Sequence, residues 1–264
     1  MKVALLSREY PPEIYGGAGV HVEYLARELS RQVDLGVYCF GADRKASEVK
    51  GSYKSWGALD GAAPELAALR TLSIDLAMAK DVAGSELVHT HTWYANFAGH
   101  LAKLMYGIPH VMTSHSLEPL RPWKAEQLGG GYAISSFSER TSIEAADAVI
   151  AVSSGMKRDI LKAYPSVDPA RVHIIYNGID LDEYQRDTRT DVLEKLGINP
   201  AEPYVVFVGR VTRQKGIVHL LEAARHIDKR VRIVLCAGEP DTADLKAEVE
   251  ALVQEIERER GGLL

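Results

Sequence analysis

Cysteine is scarce in this sequence. There are two in 264 residues, Cys39 and Cys236, each inside an apolar run. So few exclude a disulfide framework, and neither has a histidine at zinc-ligand spacing, so both are expected to be reduced core thiols. Long apolar stretches are missing as well. The amino terminus, MKVALLSREYPP, has one lysine and breaks its apolar run after Val3-Ala4-Leu5-Leu6. That is too short for a signal peptide or a membrane span, which makes the cytoplasm the expected compartment. Nor is there an excess of positive charge. Lys and Arg number 31 against 36 Asp and Glu, a formal charge of −5, so neither nucleic acid nor an anionic membrane is expected as a partner. What remains, 46% hydrophobic and 25% charged, suits an ordinary globular chain of one and a half to two domains.

Short aliphatic runs alternate with longer amphipathic ones. Residues 3–6, 33–40, 86–89, 110–113, 148–152 and 172–176 read as strands buried on both faces. Between them, Val22, Leu25, Ala26 and Leu29 form one helical stripe. Leu66, Leu69, Leu72 and Leu76 form a second, and Phe97, Leu101 and Leu104 a third. Ser153 or Ser154 suits the N-cap of a helix through Met156, Ile160 and Leu161. The alternation predicts an α/β, doubly wound parallel sheet. A polar, aperiodic stretch follows Asn177-Gly178-Ile179-Asp180. The pattern then restarts with strands at 204–208 and 231–237 and helices at 217–227 and 245–256. Domains are therefore expected at 1–182 and 201–264, with a connector at 183–200. The second has too few elements to cover its sheet and ends at Gly261-Gly262-Leu263-Leu264, where a third strand is due. A fragment of a longer chain is expected.

Two loops carry chemistry. Gly16-Gly17-Ala18-Gly19 precedes the first helix, where glycines allow close backbone approach and a helix N-terminus favours an anion. A dinucleotide fingerprint fits poorly, because Val22 stands in place of the third glycine and no acid ends the second strand. A nucleotide-dependent oxidoreductase is thus a distant alternative. Residues 209–216, Gly-Arg-Val-Thr-Arg-Gln-Lys-Gly, lie between a strand and a helix at the carboxyl edge of a parallel sheet. Arg210 and Lys215 are two cations on that loop, suited to neutralising a diphosphate leaving group without a metal.

These motifs, in order, resemble a family. Glu9-Tyr10-Pro11-Pro12 with Tyr15-Gly16-Gly17-Ala18-Gly19, then His89-Thr90-His91-Thr92-Trp93, then residues 113–119, Asn177-Gly178-Ile179-Asp180 and residues 209–216 are similar to the GT-B glycosyltransferases of the bacterial glycogen synthase and α-maltose-1-phosphate synthase group, family 4-like. The resemblance covers essentially the whole chain. It implies two Rossmann-like domains, the second incomplete here, and retaining glucosyl transfer from ADP-glucose or UDP-glucose. The acceptor implied is an α-1,4-glucan or glucose 1-phosphate. The sugar would enter between the domains, and no cofactor is implied. By the same resemblance Gly17 and Gly19 lie near the donor phosphates, Arg210 and Lys215 grip them, His115 contacts the transferred sugar, and His91 lines the cleft while His89 faces the core. Asp180-Leu181-Asp182 imitates the metal motif of a different glycosyltransferase fold but reads here as a turn, so no catalytic metal is expected. Two departures, Ile14-Tyr15-Gly16-Gly17-Ala18 and Thr92, put long-glucan handling in doubt. Arg121 or Lys124, on a basic aromatic loop, is expected to hold an acceptor phosphate, a solvated loop being the other reading. The alternative for the whole chain is an inactive fragment with residual phosphate binding.

Overall fold

The computed structural model describes residues 1–240 and 242–260, apart from the side chain of Glu126. The chain divides into two compact units, Met1–Asp180 and Leu181–Leu264. In the first, the elements in chain order are β1 (Lys2–Ser7), α1 (Gly17–Leu29), β2 (Asp34–Phe40), β3 (Val49–Tyr53), α2 (Leu66–Asp81), β4 (Leu87–His91), α3 (Trp93–Tyr106), β5 (His110–Ser114), α4 (Lys124–Leu128), α5 (Gly131–Ala145), β6 (Ala148–Ala151), α6 (Ser154–Ala163) and β7 (Val172–Ile174). The strands form one parallel sheet in the order 3-2-1-4-5-6-7. The order reverses between β1 and β4, which opens a crevice beyond the carboxyl ends of the strands.

The central strands are apolar because both faces are covered. Val3, Leu5, Val37 and Cys39 pack with Val22 and Ala26 of α1 on one side, while Ala4, Leu6 and Val88 pack with Ala95, Ala98 and Met78 on the other. Six of the strands coincide with runs visible in the sequence. β3 is an addition, since Val-Lys-Gly-Ser-Tyr has no apolar run; it sits at the edge and pairs with β2 alone. Ser153 is the N-cap of α6, its Oγ accepting the Met156 N–H at 3.0 Å.

Two leucine stripes are corrected. Leu69 and Leu76 of α2 are exposed, and Leu104 of α3 is 68% exposed. The buried face of α3 includes instead Ala95, Ala98, Gly99 and Ala102, and that of α2 includes Ala68, Ile74, Met78 and Ala79. The reason is crowding. A Cβ on Gly99 would lie 2.4 Å from His110 Nε2 and 2.5 Å from Thr90 Cγ2, so α3 rests directly on β4 and β5. Periodicity alone ranks faces by hydrophobic size, and the tightest interface selects the smallest residues.

The second unit holds α7 (Asp191–Lys195), β8 (Tyr204–Gly209), α8 (Ile217–Ala224), β9 (Arg232–Ala237) and α9 (Ala243–Arg260), with β8 and β9 parallel. Phe207, Ile233 and Leu235 meet Ile217, Leu221, Leu245 and Ile256 in its core. The alternate strand positions face outward. Val208 is 77% exposed and Cys236 is exposed too, which corrects the expectation of a core thiol at Cys236. Cys39 is buried. Arg260 ties the unit together, donating to the carbonyls of Ala224, Ile227, Asp228 and Val231 at 2.5–3.0 Å and closing the end of α8. The expected third strand at residues 261–264 lies outside the described residues.

Gly99→Ala should destabilise the fold by about 1–3 kcal/mol through overpacking, whereas Leu104→Ala should stay within about 0.5 kcal/mol. Urea denaturation of the two variants checks this, and equal losses would refute the close seating of α3.

Candidate active site

The carboxyl edge of the first unit gathers most of the residues singled out from sequence. After β1 the chain turns back at Glu9, whose Oε2 accepts the N–H groups of Tyr15 and Gly16, both at 2.9 Å. This carboxylate shapes the glycine loop. Gly19 is buried against it, and a Cβ there would fall 2.6 Å from Glu9 Oε2, so Gly19 has a packing reason to be glycine. Gly17, the first residue of α1, has no heavy atom within 4 Å of its missing Cβ. It lies at the open first turn of a 13-residue helix, where N–H groups and the helix dipole favour an anion.

Three histidines converge beyond the strand ends. His91 closes β4 and His115 follows β5; His91 Nδ1 and His115 Nε2 share a hydrogen bond of 3.0 Å. His21, one turn into α1, joins them with ring centroids 5.4 Å from His91 and 5.0 Å from His115. The His89 ring lies tilted with its centroid 4.5 Å from that of His91, and its Nε2 bonds Thr113 Oγ1 at 2.8 Å, which anchors it to the sheet. Burial, reinforced by the neighbouring imidazoles, pushes His115 down to about 3 and His91 well below the usual histidine range. Burial also lowers His21. The cluster is therefore neutral at pH 7, able to donate and accept hydrogen bonds without carrying charge.

Thr92, between His91 and α3, is held at φ +64°, ψ 161°, and no other non-glycine among the described residues has positive φ. A β-branched residue there costs about 1–3 kcal/mol, and such strain persists only where the surroundings impose it.

The loop after β5 is fixed from inside. Glu118 is fully buried; its carboxylate accepts from Lys124 Nζ and Ser135 Oγ, both at 2.7 Å, and its carbonyl accepts from the Tyr132 hydroxyl at 2.6 Å. Glu139 Oε1 accepts the Glu118 N–H at 2.8 Å and the Tyr164 hydroxyl at 2.5 Å. Lys124 is thus an interior ion-pair partner, which corrects its place among candidate phosphate ligands: its side chain is 4% exposed and its ammonium already committed to Glu118. Arg121 behaves differently. Its Nη1 donates to Ser116 Oγ at 3.2 Å, and its Nε is buried with no hydrogen-bond partner among the described residues.

A cavity of about 740 Å³ opens at the ends of β1, β2 and β3, lined among others by Arg8, Glu9, Tyr15, Phe40, Lys54 and Asp60. The Arg8 guanidinium lies 4.2 Å over the Tyr94 ring. In the second unit, Arg210 follows β8, and the Thr212 Oγ1 accepts the Lys215 N–H at 3.2 Å. Gly216 at φ +68° turns the chain into α8, so the two cations share one short loop, with the Lys215 side chain exposed. Asp180 accepts from Arg27 Nη2 at 2.6 Å, a contact within the first unit. Sequence reading missed His21, Arg8 and Lys54, and it noted Thr92 only as a departure from the family pattern, without its backbone strain. His21 was within reach, because it lies four residues past Gly17 on the same helical face.

A sequence model of Glycosyltransferase Family 4 matches residues 15–183, and one of Glycosyl transferases group 1 matches residues 188–257. The chain is 53% identical over 266 residues to the alpha-maltose-1-phosphate synthase of Mycolicibacterium smegmatis, covering all of this chain and 67% of that protein. The chain belongs to glycosyltransferase family 4. Among solved structures, the family 4 chain is similar to sucrose-phosphate synthase from Thermosynechococcus elongatus, with TM-score 0.74, 21% identity, and coverage of 97% of this chain and 68% of that one. It is also similar to the catalytic domain of starch synthase IV from Arabidopsis thaliana bound to ADP and acarbose, with TM-score 0.65, 16% identity, and coverage of 96% and 71%. The fold is GT-B, and the oxidoreductase alternative falls. No helix among the described residues is long and apolar enough to cross a membrane.

Glu139 gives this family 4 chain a pH signature. Burial, opposed by the bonds from Tyr164 and Glu118, raises its carboxyl from 4.5 to about 7. The folded state then holds a proton that the unfolded state releases, so stability falls as pH rises from about 4.5 to 7 and levels off above. Glu139→Gln, which keeps the accepting oxygen, should abolish this slope, a difference on the order of 3 kcal/mol at pH 8. Urea midpoints of both proteins across pH 4.5–8 test it, and parallel curves would contradict it.

Proposed function

We propose that the chain takes part in retaining transfer of glucose from ADP-glucose to glucose 1-phosphate, forming maltose 1-phosphate. The relative's name supports the product, and the ADP bound to the starch synthase neighbour supports the nucleotide. The observation that carries the acceptor choice is the buried Nε of Arg121, six residues past His115, which has no hydrogen-bond partner among the described residues. An interior N–H without an acceptor is costly, and a phosphate oxygen would satisfy it. The cavity beyond β1, β2 and β3, lined by Arg8 and Lys54 together with Glu9, Glu13 and Asp60, is on a scale suited to a sugar phosphate.

In this reading Arg210 and Lys215 hold the donor diphosphate, and, in the first unit, the open first turn of α1 at Gly17 favours an anion. The bond between glucose C1 and the phosphate oxygen breaks as charge builds on the departing ADP, which these cations stabilise. The acceptor hydroxyl attacks C1 from the same face, and its proton passes to the leaving phosphate. His115, neutral and steadied by His91, offers the sugar a hydrogen bond without adding charge. Gly19, packed on Glu9, keeps the loop in shape.

Lys215→Ala in the enzyme should lower kcat by about 10²–10³. Arg121→Ala should raise KM for glucose 1-phosphate far more than for glycogen, measured with ADP-[¹⁴C]glucose. Equal effects on both acceptors would remove the phosphate from Arg121, and preference for UDP-glucose would overturn the donor.

A further inference from the structure

We propose that His21, His91 and His115 form a three-nitrogen binding site for a divalent transition-metal ion of the zinc type, and that such an ion inhibits the enzyme. One ring nitrogen of each histidine lies within 4.8 Å of the other two. With zinc–nitrogen bonds of about 2.0–2.1 Å, tetrahedral ligands sit roughly 3.4 Å apart. His91 and His115 are already at 3.0 Å, so that pair needs to open by only a few tenths of an ångström. The larger motion falls to His21, whose partly exposed side chain can rotate about two bonds.

The donors come from three elements, namely α1, the end of β4 and the residue just past β5, so the sheet fixes two of the three backbones. His91 Nε2 is moreover buried without a hydrogen-bond partner among the described residues, so the ring has an uncommitted nitrogen as well. Three imidazoles and no carboxylate suit zinc, copper or nickel; magnesium and calcium prefer oxygen. Three protein ligands leave a fourth position for water, the arrangement of an exchangeable site. No other group of three such donors comes together among the described residues. His89 and His110 are engaged with Thr113 and Thr90, and His173 and His219 stand exposed.

The inhibitory consequence rests on the role given to His115 above. An ion would take its lone pair and put a dication where a neutral donor is required.

Titration of the protein with Co²⁺, read by visible absorption, tests the site directly. Expected are one ion per chain, the intense bands of four-coordinate cobalt, and displacement by Zn²⁺. His21→Ala should weaken binding by about tenfold or more, with circular dichroism confirming the fold, while His219→Ala should leave it unchanged. Equal affinity in wild type and His21→Ala, or only the weak bands of six-coordinate cobalt, would overturn the site. In the transfer assay, Zn²⁺ but not Mg²⁺ should inhibit, reversibly with EDTA, and less so in His21→Ala. Tight, His21-dependent cobalt binding without zinc inhibition would uphold the site and instead remove His115 from the reaction.

Discussion

The buried carboxylate of Glu118 is the constraint from which the region beyond β5 hangs. The loop from His115 to Arg121 has only one short turn of 3-10 helix, at Glu118–Leu120, to hold it. What fixes it is side-chain bonding to Lys124, Ser135, Tyr132 and Glu139. Desolvating a carboxylate and an ammonium together brings little net stability. What these bonds do is tie down the loop that carries both His115 and Arg121. The excess acid of this interior is accommodated by Glu139, which takes up a proton more readily than an ordinary glutamate.

Backbone topology was legible in the sequence because it depends on coarse alternation. Each central strand is a short run of β-branched and aliphatic residues, and the motif residues fall at strand ends, where a parallel sheet gathers them. Side-chain orientation was less legible. Leu104 and Ala102 both fit a helical stripe, and only the proximity of His110 and Thr90 to Gly99 decides which is buried. Lys124 looked like a surface cation because nothing local in sequence pairs it with Glu118 inside the fold. Cys236 sat in an apolar run, but alternate positions of β9 face opposite ways and its side is open. His21 was overlooked because its partners are 70 or more residues away; α1 and two strand ends bring them together.

The site of the first unit is also electrically unusual. Its centre is a set of imidazoles that burial keeps uncharged, and the cations stand apart from it, on the loops after β1, β3 and β5. Uncharged ring nitrogens and cationic side chains are thereby carried by different elements.

The seating of α3 has a bearing on how the enzyme can diversify. Gly99 lies against Thr90 and His110, and Thr90 immediately precedes His91. Any side chain added at that contact would lift the helix and displace the strand that presents the histidine. Mutational drift is thus channelled outward, to loops such as those that line the 740 Å³ cavity, which can change without moving the frame.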